Sequence, residues 1–404
     1  MRLIVVSALL LFHSLIGFTQ RDVPKSYTIE QATSERAQLH TIAFDGLAFM
    51  TGNFGASTFF PPGKVADFFG FQYMRDNDQN SMGHNTDFLT RIASNTLSIL
   101  NSEQMSSLMN LAKEQEGLYT EFAKKRWNLI RAFEECAVSA TAELDRAAIE
   151  NFCADLYLID GQLSYRRAQV MAEIIRSFTE AQKKQFDLLK FENSSTWPDI
   201  PEPFDKRLLS HRAHVGLMTY ASELFSWYKG SLTADIYFCP ERHGTYFGGF
   251  YMKDYPAMDN HGYNIPTSLT GESGKAFLEL LTAEQRINIT NLPDLQKKEL
   301  NEIVRLRTEL STELRLFLSG KQPDQKLFTE HIRQYGRLDG ALSYLYATAF
   351  AHVRRTLTTE QIKQLNKLRN QDILPKGVYL YSDPMPLPEA LETAAFFQTQ
   401  KKAF

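Results

Sequence analysis

Apolar positions recur every three to four residues through most of this chain, and strict alternation is almost absent. Leu39, Ile42, Ala43, Gly46, Leu47 and Met50 form one stripe within Ser34–Gly52. A second, with Val215, Leu217, Leu224, Phe225 and Trp227, lies within Ser210–Gly230. Both segments end on glycine, the residue best suited to a left-handed helix C-terminus. Further helices are predicted over Leu89–Leu100 and Gly274–Leu281, each leading into long helices that break at the polar stretches Ala137–Glu143 and Gly320–Gln325. Asn77–Asp87 and Tyr255–Gly274 are dense in Gly, Asn, Asp and Pro, which is turn chemistry. The pattern predicts a mostly α fold.

The pattern is also stated twice. Phe59–Asp76 reads FFPPGKVADFFGFQYMRD, and Tyr237–Asp254 reads YFCPERHGTYFGGFYMKD without a gap, 178 residues later. Phe60/Phe238, Pro62/Pro240, Gly70/Gly248, Tyr73/Tyr251 and Asp76/Asp254 are identical pairs. Arg126/Arg307 and Asp160/Asp339 repeat at nearly the same spacing, each aspartate followed by glycine. A repeat of this length implies two tandem homologous halves, each a helical hairpin or bundle carrying an aromatic- and glycine-rich loop. We place the halves at residues 21–190 and 205–371. FENSSTWPDIPEPF, residues 191–204, is the Pro- and Ser-rich linker. Residues 372–404 form a proline-rich tail without a counterpart.

One five-residue pattern occurs four times: LNSEQ at 100–104, FTEAQ at 178–182, LTAEQ at 281–285 and LTTEQ at 357–361. Asn or Thr at the N-cap and Gln three residues on make a capping box, and the leading Leu or Phe is placed for a hydrophobic staple. The pattern also resembles the LTxxQ motif of the Spy/CpxP family of periplasmic proteins, over roughly residues 89–190 and 270–370. That resemblance implies helical hairpin units, each marked by two motifs, and a holdase chaperone role toward unfolded or partner proteins under envelope stress. Two copies depart from the motif, with Asn101 for Thr and Phe178 for Leu. The aromatic segments have no equivalent in that family.

Bulk composition narrows the classes. The net charge of -3 and pI near 6.3 give no basic excess, which argues against nucleic acid as the main partner. Residues 1–20 place Arg2 before a short apolar run, which reads as a cleaved export signal and implies a periplasmic or secreted protein. No later segment has the length and apolarity of a membrane span. In an oxidising compartment Cys136 and Cys153 are either a disulfide or two buried thiols, and Cys239 is the odd cysteine.

Candidate chemistry gathers in the repeated loops. Lys64, Asp67, Tyr73, Arg75, Asp76 and His84 come from the first half; Arg242, Tyr251, Lys253 and Asp254 come from the second. Cys239, His243 and His261 supply thiolate and imidazole, the ligand types of zinc or copper, and define an alternative reading as a metal-binding or metal-sensing protein. Arg126, Asp160, Arg307 and Asp339 are expected to form ion pairs within each half, since a carboxylate in an apolar helix needs a partner. There is no GxSxG, no HExxH and no phosphate loop. We therefore read the chain as non-enzymatic, with an enzyme of unspecified reaction as the weakest alternative.

Overall fold

The computed structural model describes residues 35–51, 91–189, 197–232, 235, 271–368, 378–380, 383–385 and 396–398. The expected mostly α fold is what these residues adopt. The first set of helices is α1 (Glu35–Met50), α2 (Ala93–Ile99), α3 (Ser102–Val138), α4 (Arg146–Arg176) and α5 (Glu180–Leu188). The second is α6 (His211–Lys229), α7 (Gly271–Leu280), α8 (Ala283–Thr290), α9 (Leu292–Arg315), α10 (Gln325–Thr356) and α11 (Thr359–Leu368). Three-residue strands β1 (Val378–Leu380) and β2 (Asp383–Met385) form a small antiparallel pair.

Among the described residues the α-helices follow the same order in both sets, with one of them divided in the second. The 37-residue α3 is continuous, whereas its positional counterpart is divided into α8 and α9. Pro293 causes the division: it lacks the backbone donor of a helix interior, and its ring clashes with the carbonyl four residues back. It is accommodated in the first turn of α9, where that donor is not required.

Side-chain period explains the packing of the long helices. On α3, Leu108, Leu111, Tyr119, Phe122, Leu129, Ile130 and Phe133 are buried, and on α10 so are Phe328, Ile332, Leu342, Tyr346 and Phe350. Helices α4 and α10 cross most intimately, at the centre of the core. Small residues permit this: a Cβ on Gly336 would lie 2.5 Å from the Cys153 carbonyl oxygen and 2.8 Å from Tyr157 Cβ. Gly161 faces Ile332 and Gly340 faces Cys153 in the same way. Two further contacts match across the crossing. Arg176 at the end of α4 donates to the Phe317 carbonyl, and Arg355 at the end of α10 donates to the Cys136 carbonyl.

The first helix of each set packs on the other set. Helix α1 lies against α7 and also touches α8, α9 and α10, while α6 lies against α2 and α3. The packing units therefore interleave the two sequence halves. The intervening segment is held as well: Trp197 is buried against Phe225, with ring centroids 4.9 Å apart, and Asn95 Nδ2 donates to the Pro198 carbonyl at 2.8 Å. From the C-terminal tail, Phe397 is fully buried edge-on to Phe152, and its carbonyl accepts from Asp145 N at 2.7 Å.

One local expectation needs correction. Gly230 does cap α6, but at φ -82° and ψ 177°, an extended conformation open to any residue; the left-handed glycine is Gly320, at φ 74°. Of the two readings left open for Cys136 and Cys153, the structure has separate buried thiols. Cys153 is turned into the α4–α10 crossing, whereas Cys136 ends α3 beside Arg355, 3.4 Å from its Nη2. No helix among the described residues is long and apolar enough to cross a membrane.

Candidate functional site: motif clasps and a buried charged seam

All four five-residue motifs begin a helix through their Asn or Thr. At LNSEQ, Asn101 Oδ1 accepts from Gln104 N and Gln104 Oε1 accepts from Asn101 N, both at 2.9 Å. FTEAQ and LTAEQ close the same reciprocal box through Thr179/Gln182 and Thr282/Gln285. LTTEQ does so through Thr358 and Gln361, at 2.9 and 3.2 Å.

A second use of the glutamines was not legible from the pentamer. Each capping box occupies the amide oxygen, and the NH2 end reaches across to the other motif of the same set. Gln182 Nε2 donates to Gln104 Oε1 at 2.7 Å and to the Ile99 carbonyl at 2.9 Å, while Gln104 Nε2 donates to Ser177 Oγ at 2.8 Å. In the second set Gln361 Nε2 donates to Gln285 Oε1 at 2.8 Å and to the Leu280 carbonyl at 2.9 Å, and Gln285 Nε2 donates to the Thr356 carbonyl at 2.9 Å. Glutamate could complete a capping box equally well, but only the neutral amide supplies these donors. Each clasp ties the start of one helix to the start of another some 80 residues along the chain. A double-mutant cycle on Gln104→Ala and Gln182→Ala should give a coupling energy of about 1 kcal/mol in denaturant unfolding. Additive effects would leave the glutamines as caps alone.

The second feature is a row of buried charged and hydrogen-bonding side chains through the bundle. Arg167 of α4 and Glu223 of α6 are both fully buried and meet at 3.2 Å through both carboxylate oxygens. Arg167 Nη2 also donates to Ser164 Oγ at 3.3 Å, and that hydroxyl donates to Asp160 Oδ1 at 3.4 Å. Burial works against the Arg167 charge, but Glu223, Tyr119, Tyr220 and Asp160 more than offset it, so the guanidinium stays protonated. Burial pushes the Asp160 carboxyl up to about 7; Arg167, Arg307 and the Ser164 hydroxyl oppose the rise, and Asp339 adds to it. Asp235 receives a bidentate contact from Arg315, at 2.5 and 2.8 Å, and its carbonyl accepts from Arg307 Nη2 at 2.5 Å.

The structure thus brings Arg126, Asp160, Arg307 and Asp339 into one buried region, all on core-facing positions. The principal attractions on Asp160 come from Arg167 and from Arg307 of the other set. The α4–α10 crossing brings Asp160 near the opposite set, so one of its two cations, Arg307, acts from across the interface while Arg167 lies on its own helix. Glu223 and Arg167 were missed, although each is a charged residue on an apolar helical stripe. So were Gln115 and Gln296, which accept from Tyr220 OH and Tyr346 OH respectively, both at 2.5 Å.

The loop candidates Lys64, Asp67, Tyr73, Arg75, Asp76, His84, Arg242, Tyr251, Lys253 and Asp254 lie outside the described residues, as do Cys239, His243 and His261. Among the described residues no group of three or more His, Cys, Asp or Glu side chains could hold a metal ion. An open hollow of about 350 Å³ is lined by Ser94, Ile200, Pro201, Glu202, Phe204 and Lys206. Its charges are already engaged: Glu202 faces Lys206 Nζ at 2.8 Å and His214 Nε2 at 2.9 Å.

Comparison with protein-family models, with curated proteins and with solved structures finds no match for this chain.

Proposed function

We propose that the chain is an exported, non-enzymatic helical protein that holds unfolded or partner proteins, in the manner of an envelope-stress chaperone. The observation that carries this reading is the pairing of the motifs: Gln104 with Gln182, and Gln285 with Gln361. A motif that served only as a helix cap would not need its glutamines to meet. Met in pairs, the motifs act as the closing device of two helical units, which is the organisation that the Spy/CpxP resemblance leads one to look for. The outer surface adds a second support. Val138, Leu188, Ile287, Leu295 and Leu327 are exposed large apolar residues on helices rich in surface ion pairs. Apolar anchors scattered among charges suit weak, sequence-tolerant contact with unfolded chain.

The test is suppression of aggregation of a chemically unfolded client by the mature protein, without nucleotide and in the presence of a chelator. At a one-to-one ratio the protein should cut light scattering at least about twofold, and Ile287→Glu/Leu295→Glu should weaken that protection with the thermal midpoint unchanged. Absence of protection at stoichiometric ratios would sink the reading. Protection abolished by the chelator would turn it toward metal binding.

A further inference from the structure

Asp45 and Glu223 stand at the same 178-residue spacing as the aromatic segments, on the first helix of each set. Both are fully buried, yet their surroundings differ in one respect. Glu223 meets Arg167. The residue standing in Arg167's place in the second set is Tyr346, and its hydroxyl is committed to Gln296. Among the described residues neither carboxylate oxygen of Asp45 has a hydrogen-bond partner.

The adjoining position on α1 is closely packed. A Cβ on the adjacent Gly46 would meet Phe350 at 3.0 Å and Phe277 at 3.1 Å, and Phe49 packs on Phe350 at 5.8 Å. Among the described residues of the packed elements, no cation reaches Asp45. On α7, Lys275 and Glu279 are exposed and face each other at 3.8 Å. On α8, Arg286 is occupied by the Leu278 and Leu281 carbonyls. On α9, Arg307 is bonded to the Asp235 carbonyl. On α10 the titratable neighbour is Tyr346, which burial, Asp45 and Asp339 keep as the neutral phenol, so it supplies no positive charge.

We propose that Asp45 is a proton-operated latch: the proton neutralises it when α1 is seated on α7 and α10, and loss of that proton unseats α1. A fully buried carboxylate with no cation among the described residues leaves a proton as the species that can remove the charge. Burial accordingly raises the Asp45 carboxyl well above its ordinary value. The sign follows from linkage. Seated α1 binds the proton more tightly than released α1 does, so seating is favoured below the ordinary carboxylate range. It is weakened as pH climbs toward the raised value. Release would uncover Ile42, Leu47, Phe277 and Phe350 together, all buried when α1 is in place.

Hydrogen exchange of the full chain between about pH 4 and 9, corrected for the chemical exchange rate, tests this. In the wild type, protection of the 42–50 amides should fall about tenfold per pH unit over the interval between the two values. Asp45→Asn should flatten that profile, and so should Asp45→Leu, which removes the polar group altogether. Protection within α6, where Glu223 is paired, should not follow the same curve. A flat wild-type profile at 42–50 would overturn the proposal without any variant. A slope unchanged in a folded Asp45 variant would assign the proton to another group and overturn it equally.

Discussion

Arg167→Ala should lower the unfolding free energy by about 3–5 kcal/mol, among the largest single effects available in this chain. The reason is what it leaves behind. Glu223 is fully buried, and the variant would strand its carboxylate without the 3.2 Å contact that compensates it. The guanidinium also lies over the Tyr220 ring at 5.5 Å and donates to Ser164, so packing and a hydrogen bond go with the charge. Denaturant unfolding at neutral pH measures the loss, with an unchanged m-value expected if the native and unfolded states keep their compactness. The informative control is Arg167→Met/Glu223→Leu, which removes both charges and fills the space. A desolvated ion pair contributes little net stability against an apolar replacement, so the double variant should recover most of the loss. Equal destabilisation by the single and double variants would mean that the pair itself holds the helices.

The second set of helices already performs a version of that replacement. Tyr346 stands where Arg167 does, and Ile42 stands where Tyr220 does, at the spacings of the sequence repeat. Gln115 is reached by a tyrosine from α6, and Gln296 by a tyrosine from α10 itself. The polar demand of the buried glutamine is met in both places by different donors. Asp45 is the acid at the corresponding spacing, buried and without a cation among the described residues. The two sets therefore share a framework while differing in the chemistry of their centres, and an asymmetry of this kind is where a distinct property of one end can reside.

The helical framework was legible because it rests on short-range rules. The stripes through Ile42 and Leu47 and through Leu224 and Phe225 predicted buried faces that are buried, and every capping box follows from residues three apart. The break between α8 and α9 could have been read from Pro293 alone. What the sequence hid is long-range. Nothing in LTAEQ says which other helix Gln285 will meet, because its NH2 group is left over once the local box is closed. Nor does the repeat reveal that α1 seats on the opposite set, or that Arg307 of the other set acts on Asp160. One signal was present and unused: acids at both Asp45 and Glu223, but arginine at position 167 and tyrosine at the corresponding position 346.

The second large effect belongs to the crossing that makes those exchanges possible. Gly336→Ala should cost about 3 kcal/mol, at the upper end of what one added methyl does to a packed core. The new Cβ would sit 2.5 Å from the Cys153 carbonyl oxygen, 2.8 Å from Tyr157 Cβ and 2.9 Å from Ala154 Cα. Two of those atoms are backbone of α4 and the third is anchored directly to it, so no rotamer change relieves the clash and the helices themselves must separate. Separation loosens everything strung across them, including the approach of Arg307 to Asp160 and the Arg176 and Arg355 contacts. Gly117→Ala is the matched comparison, since nothing lies within 4 Å of its Cβ in the middle of α3. That change should stabilise by about 0.5–1 kcal/mol, through the lower conformational entropy of the unfolded chain. Opposite signs for one chemical change, at two helical glycines of the same protein, separate the cost of close approach from helix propensity. If Gly336→Ala were as benign as Gly117→Ala, α4 and α10 could not approach as closely as described, and the cross-set contacts of the seam would fall with it.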